Sequence, residues 1–292
     1  MIFVNLGYGQ GYAVLAYRLN RALAAIFVGF LLSVSGCLLQ SSLRNPLVDH
    51  YILGIGGGAL FATYVYILLL PFTMYGRILS AIIGGLTALS ITILVAEAIG
   101  GSDIAYVLVG IGVSTTFSGL SILLSYFVVA KNPYAMHILL GSLVLVSGKW
   151  IPILLILLIL DIILYFILAK PLNVMMLGDE YAFQLGYNPR FYRLLATLLA
   201  GVTSSIVVSC CGLIGFLGLV IPHFSRFLLN TSDNRLVIPL SGLLGSVFLL
   251  LADNASRLVL VSEVGEVPVG ALVSILGAPF YIMILVKRIR GR

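Results

Sequence analysis

Nine long apolar runs constrain this chain more than anything else in it. They lie at residues 22–40, 50–70, 78–96, 105–129, 150–169, 191–211, 213–229, 236–252 and 268–287, and nearly every charge falls between them. A helix of about 20 residues crosses a hydrocarbon core, so most of these runs are candidates to span one. Composition excludes the soluble alternative: charged residues are only 9% of 292 positions, against 61% hydrophobic. That leaves too little polar surface for a water-soluble globule of this size. The runs lack the alternation of a membrane barrel, and helices satisfy every backbone group within the segment. The expected fold is an all-α polytopic membrane protein. Its 31 glycines fit that reading, because small residues let helices approach where lipid supplies no hydrophobic drive for association.

The tail Lys287–Arg292 is a juxtamembrane basic cluster, expected on the cytoplasmic face. The net charge of +6 therefore has a membrane meaning before any nucleic-acid meaning. Counting nine spans back from the tail places the N-terminus outside. Inner segments then hold Arg44, Lys170, Arg190, Arg193, Arg226, Arg235 and the four tail cations, and outer segments hold Arg18, Arg21, Arg77, Lys131, Lys149 and Arg257. Ten against six favours this orientation. The odd span count implies either an exported N-terminus or a helix missing upstream. Met1–Tyr17 is short, mixed and without a basic start, and does not read as a cleaved leader.

Residues 18–46 and 190–222 look like copies. Both open with Arg-x-x-Arg-x-Leu-Ala, continue as an apolar helix and reach a small-residue turn, and their starts are 172 residues apart. In a nine-span topology they begin on opposite faces, as inverted repeats of transporters do.

The longest polar interruption, 170–190, is cytoplasmic in this topology. Asp179, Glu180, Ala182, Phe183 and Leu185 suit a short amphipathic helix bounded by Gly178 and Gly186, with Asn188–Pro189 turning into the next span. It reads either as a surface loop or as a docking element, and Met175, Met176 and Phe183, expected to be exposed, favour docking. Asp161 lies within a span, where an ionised carboxylate costs about 3 kcal/mol on insertion scales. It makes a structural contact, faces a translocation path, or marks a helix end displaced toward water. Gln40 ends the first span, and Gly54, Gly56, Gly57 and Gly58 begin the second. The glycines serve close packing or bending. Gly212, Gly215 and Gly218 running into Pro222, His223 and Arg226 suggest a packed broken helix or a gate. Arg18, Arg21 and Arg257 share the outer side, as interface anchors or as a patch for an acidic partner.

The chain has no Gly-x-x-x-x-Gly-Lys-Ser/Thr loop, so ATP hydrolysis by that route needs another polypeptide. Cys37, Cys210 and Cys211 sit in apolar surroundings, and His50, His137 and His223 have no metal-ligand spacing, so neither a catalytic nor a metal site is expected.

Taken together, Arg18-Leu-Asn-Arg21-Ala-Leu-Ala, Ser35-Gly36-Cys-Leu-Leu-Gln40, Arg44-Asn-Pro-Leu47, Leu177-Gly178-Asp-Glu-Tyr-Ala182, Gly215-Phe-Leu-Gly-Leu-Val-Ile-Pro-His223, Leu251-Ala-Asp253, Glu266-Val-Pro-Val-Gly270 and Gly277-Ala-Pro279 resemble one family. It is the FecCD-type permease family, the transmembrane subunits of type II ABC importers for iron-siderophore, haem and vitamin B12. The resemblance spans residues 17–290. It implies a permease with two inverted helical repeats, paired with a second copy. It also implies two cytoplasmic ATPase subunits that carry ATP and Mg, an extracytoplasmic binding protein, and a place in the cytoplasmic (inner) membrane. No cofactor is expected in this chain, and no nucleic-acid partner. The family has ten helices, so the first would be absent here. Residues 1–292 would form one permease domain, with halves of about 1–169 and 170–292. By resemblance, Leu177, Gly178, Glu180, Ala182 and Gly186 fall at the ATPase contact, and Arg18, Arg21 and Arg257 at the binding-protein contact. Gln40, Gly54, Gly56, Gly57, Gly58, Gly215, Gly218 and His223 are candidates for the path or its gate. A molybdate or tungstate permease, an ion-coupled transporter and a membrane scaffold are the alternatives. A nearly solitary Asp161 argues against ion coupling.

Overall fold

The computed structural model describes residues 8–290 apart from 72, 132, 134, 145, 259–260 and 263–264. Of the basic tail, residues 291 and 292 lie outside the described residues. Each apolar run contributes one helix. In chain order they are α1 (Tyr8–Ser42), α2 (Ile55–Leu69), α3 (Met74–Ala98), α4 (Asp103–Lys131), α5 (Ala135–Leu140), α6 (Trp150–Met175), α7 (Asp179–Gln184), α8 (Pro189–Cys211), α9 (Leu217–Leu229), α10 (Asn234–Leu258) and α11 (Val269–Arg290). Before α11 a minimal antiparallel pair forms, β1 (Val261–Ser262) with β2 (Gly265–Glu266). Among the described residues six helices, α1, α3, α4, α6, α8 and α10, are long and apolar enough to cross a membrane.

Two expected spans are shorter than their hydropathy suggests. Run 50–70 yields only the 15 residues of α2, and run 213–229 only the 13 of α9. At 1.5 Å per residue these measure about 22 and 20 Å, short of a hydrocarbon core of roughly 30 Å. The backbone breaks before each. Arg44 (φ 52°) and Phe216 (φ 64°) adopt left-handed conformations unusual for residues with a Cβ, and they are 172 residues apart, the spacing of the sequence repeat. Both copies therefore break at the same register.

The two breaks are tied to each other and to the rest of the bundle. His50 Nε2 lies 3.1 Å from the Ile214 carbonyl. The Ser142 N–H donates to Cys211 O (2.8 Å), Leu213 N–H to Ile138 O (3.4 Å) and Gly270 N–H to Gly141 O (2.9 Å). Non-helical backbone at membrane depth survives only where protein buries and satisfies it, and this junction does so. Arg77, buried in α3, completes it by donating to the carbonyls of Ser209 and Cys210 in the last turn of α8 and lying over Trp150, 5.1 Å from the ring centroid.

α1 and α8 run in opposite directions. Arg193, in the second turn of α8, donates to Ser42 O at the end of α1 (3.2 Å), while Cys210 and Cys211, at the other end of α8, share a buried cluster with Ala24 and Ala25 at the middle of α1. Glycine contacts hold α1 in the centre. A Cβ on Gly36 would overlap the backbone of Gly218, and one on Gly29 the backbone of Gly245. Asp161 lies mid-way along α6, buried, and accepts from Thr203 Oγ1 of α8 at 3.0 Å. It is a structural contact between two helices, and the displaced-helix-end reading is wrong.

Candidate functional site

The expected docking helix forms as α7. Gly178 (φ 131°) and Gly186 (φ 82°) bound it in conformations closed to most side chains, and the Asn188 side chain caps α8 by accepting from the N–H groups of Arg190 and Phe191. Leu177 and Phe183 are 70% and 73% exposed, and Tyr181, Leu185 and Glu180 are exposed beside them. Two expectations change. Met175 is fully buried at the end of α6, and Ala182 is fully buried beneath α7. Ala182 therefore seats the helix and offers no side-chain surface to a partner.

Asp179 clamps α7 to the bundle. Both its oxygens lie 3.0 Å from Arg193 Nη2, and Oδ1 lies 3.4 Å from Arg44 Nη2. Arg193 also holds Ser42 O. One carboxylate thus joins α7 to the end of α1 and the start of α8. At the same end of the bundle, Arg235 donates Nε and Nη2 to Asp233 and holds that carboxyl well below the usual carboxylate range.

The arginines expected to form an outer patch divide. Arg18 is exposed. Arg21 is 1% exposed and fixed from three sides: Nε 3.0 Å from both Asp253 oxygens, Nη2 2.8 Å from Oδ1, and Nη1 2.5 Å from Glu266 Oε2 of β2 and 3.1 Å from the Tyr17 hydroxyl. Arg257 is largely buried, 3.4 Å from Asp253 and donating to Asn254. Arg21 is an internal cross-link of α1, α10 and the β pair, and Arg257 pairs with Asp253 one turn away within α10. The acids that neutralise Arg21 lie far along the chain, so spacing could not reveal that pairing, whereas Arg257 and Asp253 are an i, i+4 pair.

Residues 21 and 42 of α1 are separated by about 32 Å along the helix axis, one hydrocarbon thickness. The Arg21 cluster stands at one end and the Asp179 clamp at the other. Glu180 and Arg257 therefore lie at opposite ends of the helix bundle.

Among the path candidates, Gln40 and His223 meet in one cavity with Arg44 and Arg226. Gln40 bridges the break, donating to Gly218 O (3.2 Å) and accepting from Arg226 Nη1 (2.6 Å). Gly54, Gly56, Gly57 and Gly58 are buried. They pack against Val113, Leu213, Phe117 and Gly84 in turn and expose no surface. Gly215 lies under the Tyr51 ring and Gly218 against Leu32 and Gly36. These glycines serve packing in this chain.

The exposed small-residue face is instead on α4. Gly112, Thr115, Thr116 and Gly119 repeat at i, i+3, i+4 and i+7 and all are exposed. A Cβ on Gly112 or Gly119 would meet nothing within 4 Å, so packing inside this chain does not require glycine there. The threonine hydroxyls are satisfied by Ile111 O and Gly112 O. The sequence shows this stripe only as spacing, which does not distinguish an inward from an outward face. Among the described residues no group of three His, Cys, Asp or Glu side chains is placed to hold a metal.

The model of the FecCD transport family matches residues 4–287. This chain belongs to the FecCD transport family. Like the FecCD proteins it is a multi-pass membrane permease. It is 36% identical over 275 residues to a Helicobacter pylori permease assigned to an iron chelatin transport system, covering 94% of this chain and 82% of that relative. It is 35% identical to the iron(3+)-hydroxamate import system permease FhuB of Bacillus subtilis, covering 94% and 71%. A solved inward-facing transporter assigned to the metal-chelate ABC type superposes with a TM-score of 0.82 at 30% identity, over 98% of this chain and 91% of that one. The FecCD fold is thus established over the chain as a whole.

Proposed function

We propose that the chain is the membrane subunit of an ATP-driven importer for metal chelates such as iron-siderophore, haem or cobalamin. The observation that carries the reading is α7, an exposed apolar and acidic surface rigidly clamped by Asp179 to α1 and α8. A force on Leu177, Glu180 and Phe183 reaches two central helices without passing through a flexible joint. Family membership and the likeness to a metal-chelate type transporter support the same reading.

In this reading the α7 end faces the cytosol of the inner membrane and meets two ATPase subunits, which bind ATP and Mg. The Gly112–Gly119 face of α4 meets a second copy and lines the path between them. Arg18 and the surface around the Arg21 cluster receive the loaded binding protein. Residues 1–169 and 170–292 act as the two halves of one permease domain. This subunit performs no covalent chemistry. Each nucleotide state prefers one permease conformation, and that preference is the coupling.

Reversing Glu180 to Lys is the test. The side chain is exposed, so insertion and folding are expected to remain at the parental level while import and permease-stimulated ATPase activity fall several-fold, as for a like-charge contact. Parental import by the variant would remove α7 from the coupling contact.

A further inference from the structure

The cavity at the α7 end is cationic beyond what the importer reading uses. It has a volume of about 270 Å³ and is lined by Gln40, Ser41, Arg44, His223, Arg226 and Ser232, among others. No carboxylate lines it among the described residues. Arg226 is partly buried and contacts neutral groups, Gln40 Oε1 at 2.6 Å and Cys37 Sγ at 4.0 Å. Arg44 reaches Asp179 only at 3.4 Å, and that carboxylate is already held by Arg193 at 3.0 Å from both oxygens. Asp233, next to Ser232 in sequence, is taken by Arg235 and Asn173. Arg44 and Arg193 thus share one carboxylate, Arg226 contacts none, and Arg44 and Arg226 both line the cavity.

We propose that this cavity binds a phosphate-type oxyanion, presented by an anionic lipid headgroup or by a free phosphate. A partly buried guanidinium without a counter-charge is unfavourable, and an anion in the cavity removes that penalty. Two guanidiniums on different elements, one after the α1 break and one on α9, with the Ser232 hydroxyl nearby, suit a group with several acceptor oxygens. The bound anion would tie the end of α1 to α9 across the repeat break and so stabilise the conformation in which the two approach. The proposal rests on charge and geometry and is independent of the cargo.

The test uses the full chain in lipid nanodiscs, with thermal unfolding followed by Trp150 fluorescence. In discs of phosphatidylcholine alone, inorganic phosphate is titrated at constant ionic strength against chloride. In a second arm, phosphatidylglycerol is added to the discs without phosphate and retained lipid is counted by native mass spectrometry. A saturable rise in Tm in either arm, with apparent affinity weakened about tenfold or more by Arg226→Gln, supports the site. A response to phosphate alone assigns a free ligand, and a response to phosphatidylglycerol alone assigns a headgroup. Arg44→Gln, at a 40% exposed side chain, carries the same reading should Arg226→Gln fail to fold. No saturable rise in either arm, or an equal rise in the folded variants, overturns the proposal.

Discussion

Replacing Asp253 with Asn tests the buried cluster at the β-pair end. Both partners are dry, at 2% and 0% side-chain exposure. Removing one member of a buried ion pair costs about 3–5 kcal/mol, chiefly because the other charge is left uncompensated. Here the loss is partial. Arg21 retains Glu266 at 2.5 Å and Tyr17 at 3.1 Å, the Asn oxygen can still accept, and Glu266 is 35% exposed and so solvent-screened. The expected cost is therefore at the low end, about 3 kcal/mol. The double replacement Arg21→Met with Asp253→Leu leaves no fully buried charge uncompensated and is expected to cost less than the single change, because the charges that lose a partner, Glu266 and Arg257, are 35% and 18% exposed and reach solvent. Equilibrium unfolding of the purified chain in mixed micelles of mild detergent and dodecyl sulfate, followed by circular dichroism, measures both. An Asp253→Asn variant within about 0.5 kcal/mol of the parent would refute the view that this cluster holds α1, α10 and the β pair together.

Two glycine changes separate internal packing from an external face. Gly36→Leu forces a side chain into the Gly218 backbone and is expected to cost about 3 kcal/mol or more, seen as loss of a monodisperse peak in size-exclusion chromatography. Gly112→Leu meets nothing inside the chain, so it should leave that peak and the Tm in place while lowering import. Glu180→Cys and Arg18→Cys, each at an exposed position in a background without Cys37, Cys210 and Cys211, should react with an impermeant maleimide from opposite sides of sealed vesicles. Labelling of both from one side would reject the orientation.

The spans were legible because hydropathy over about 20 residues is a coarse and robust signal. What hydropathy cannot register is a broken backbone inside an apolar run. Run 213–229 stays hydrophobic through Leu213, Ile214 and Phe216 although the helix starts only at Leu217, and the left-handed turn at Phe216 leaves no mark on composition. α7 was legible because glycines bracketed it at helix-turn spacing. Ala182 was misplaced because in six residues of helix the inward face is set by how the flanking turns aim it, not by periodicity. Arg21 was misread as surface because an arginine near a membrane edge usually reaches water. Asp253 and Glu266, which reverse that tendency, are brought to it only by the packing of α1 against α10.

The matched interruptions at Arg44 and Phe216 bear on how the chain enters a bilayer. The second half cannot be released into lipid as a finished unit by itself, because carbonyls at its break are covered by side chains of the first half: His50 reaches across to Ile214, and Gln40 to Gly218. The second break therefore closes only against helices already in place, so assembly of this permease is completed by the meeting of its two copies of the motif and not helix by helix.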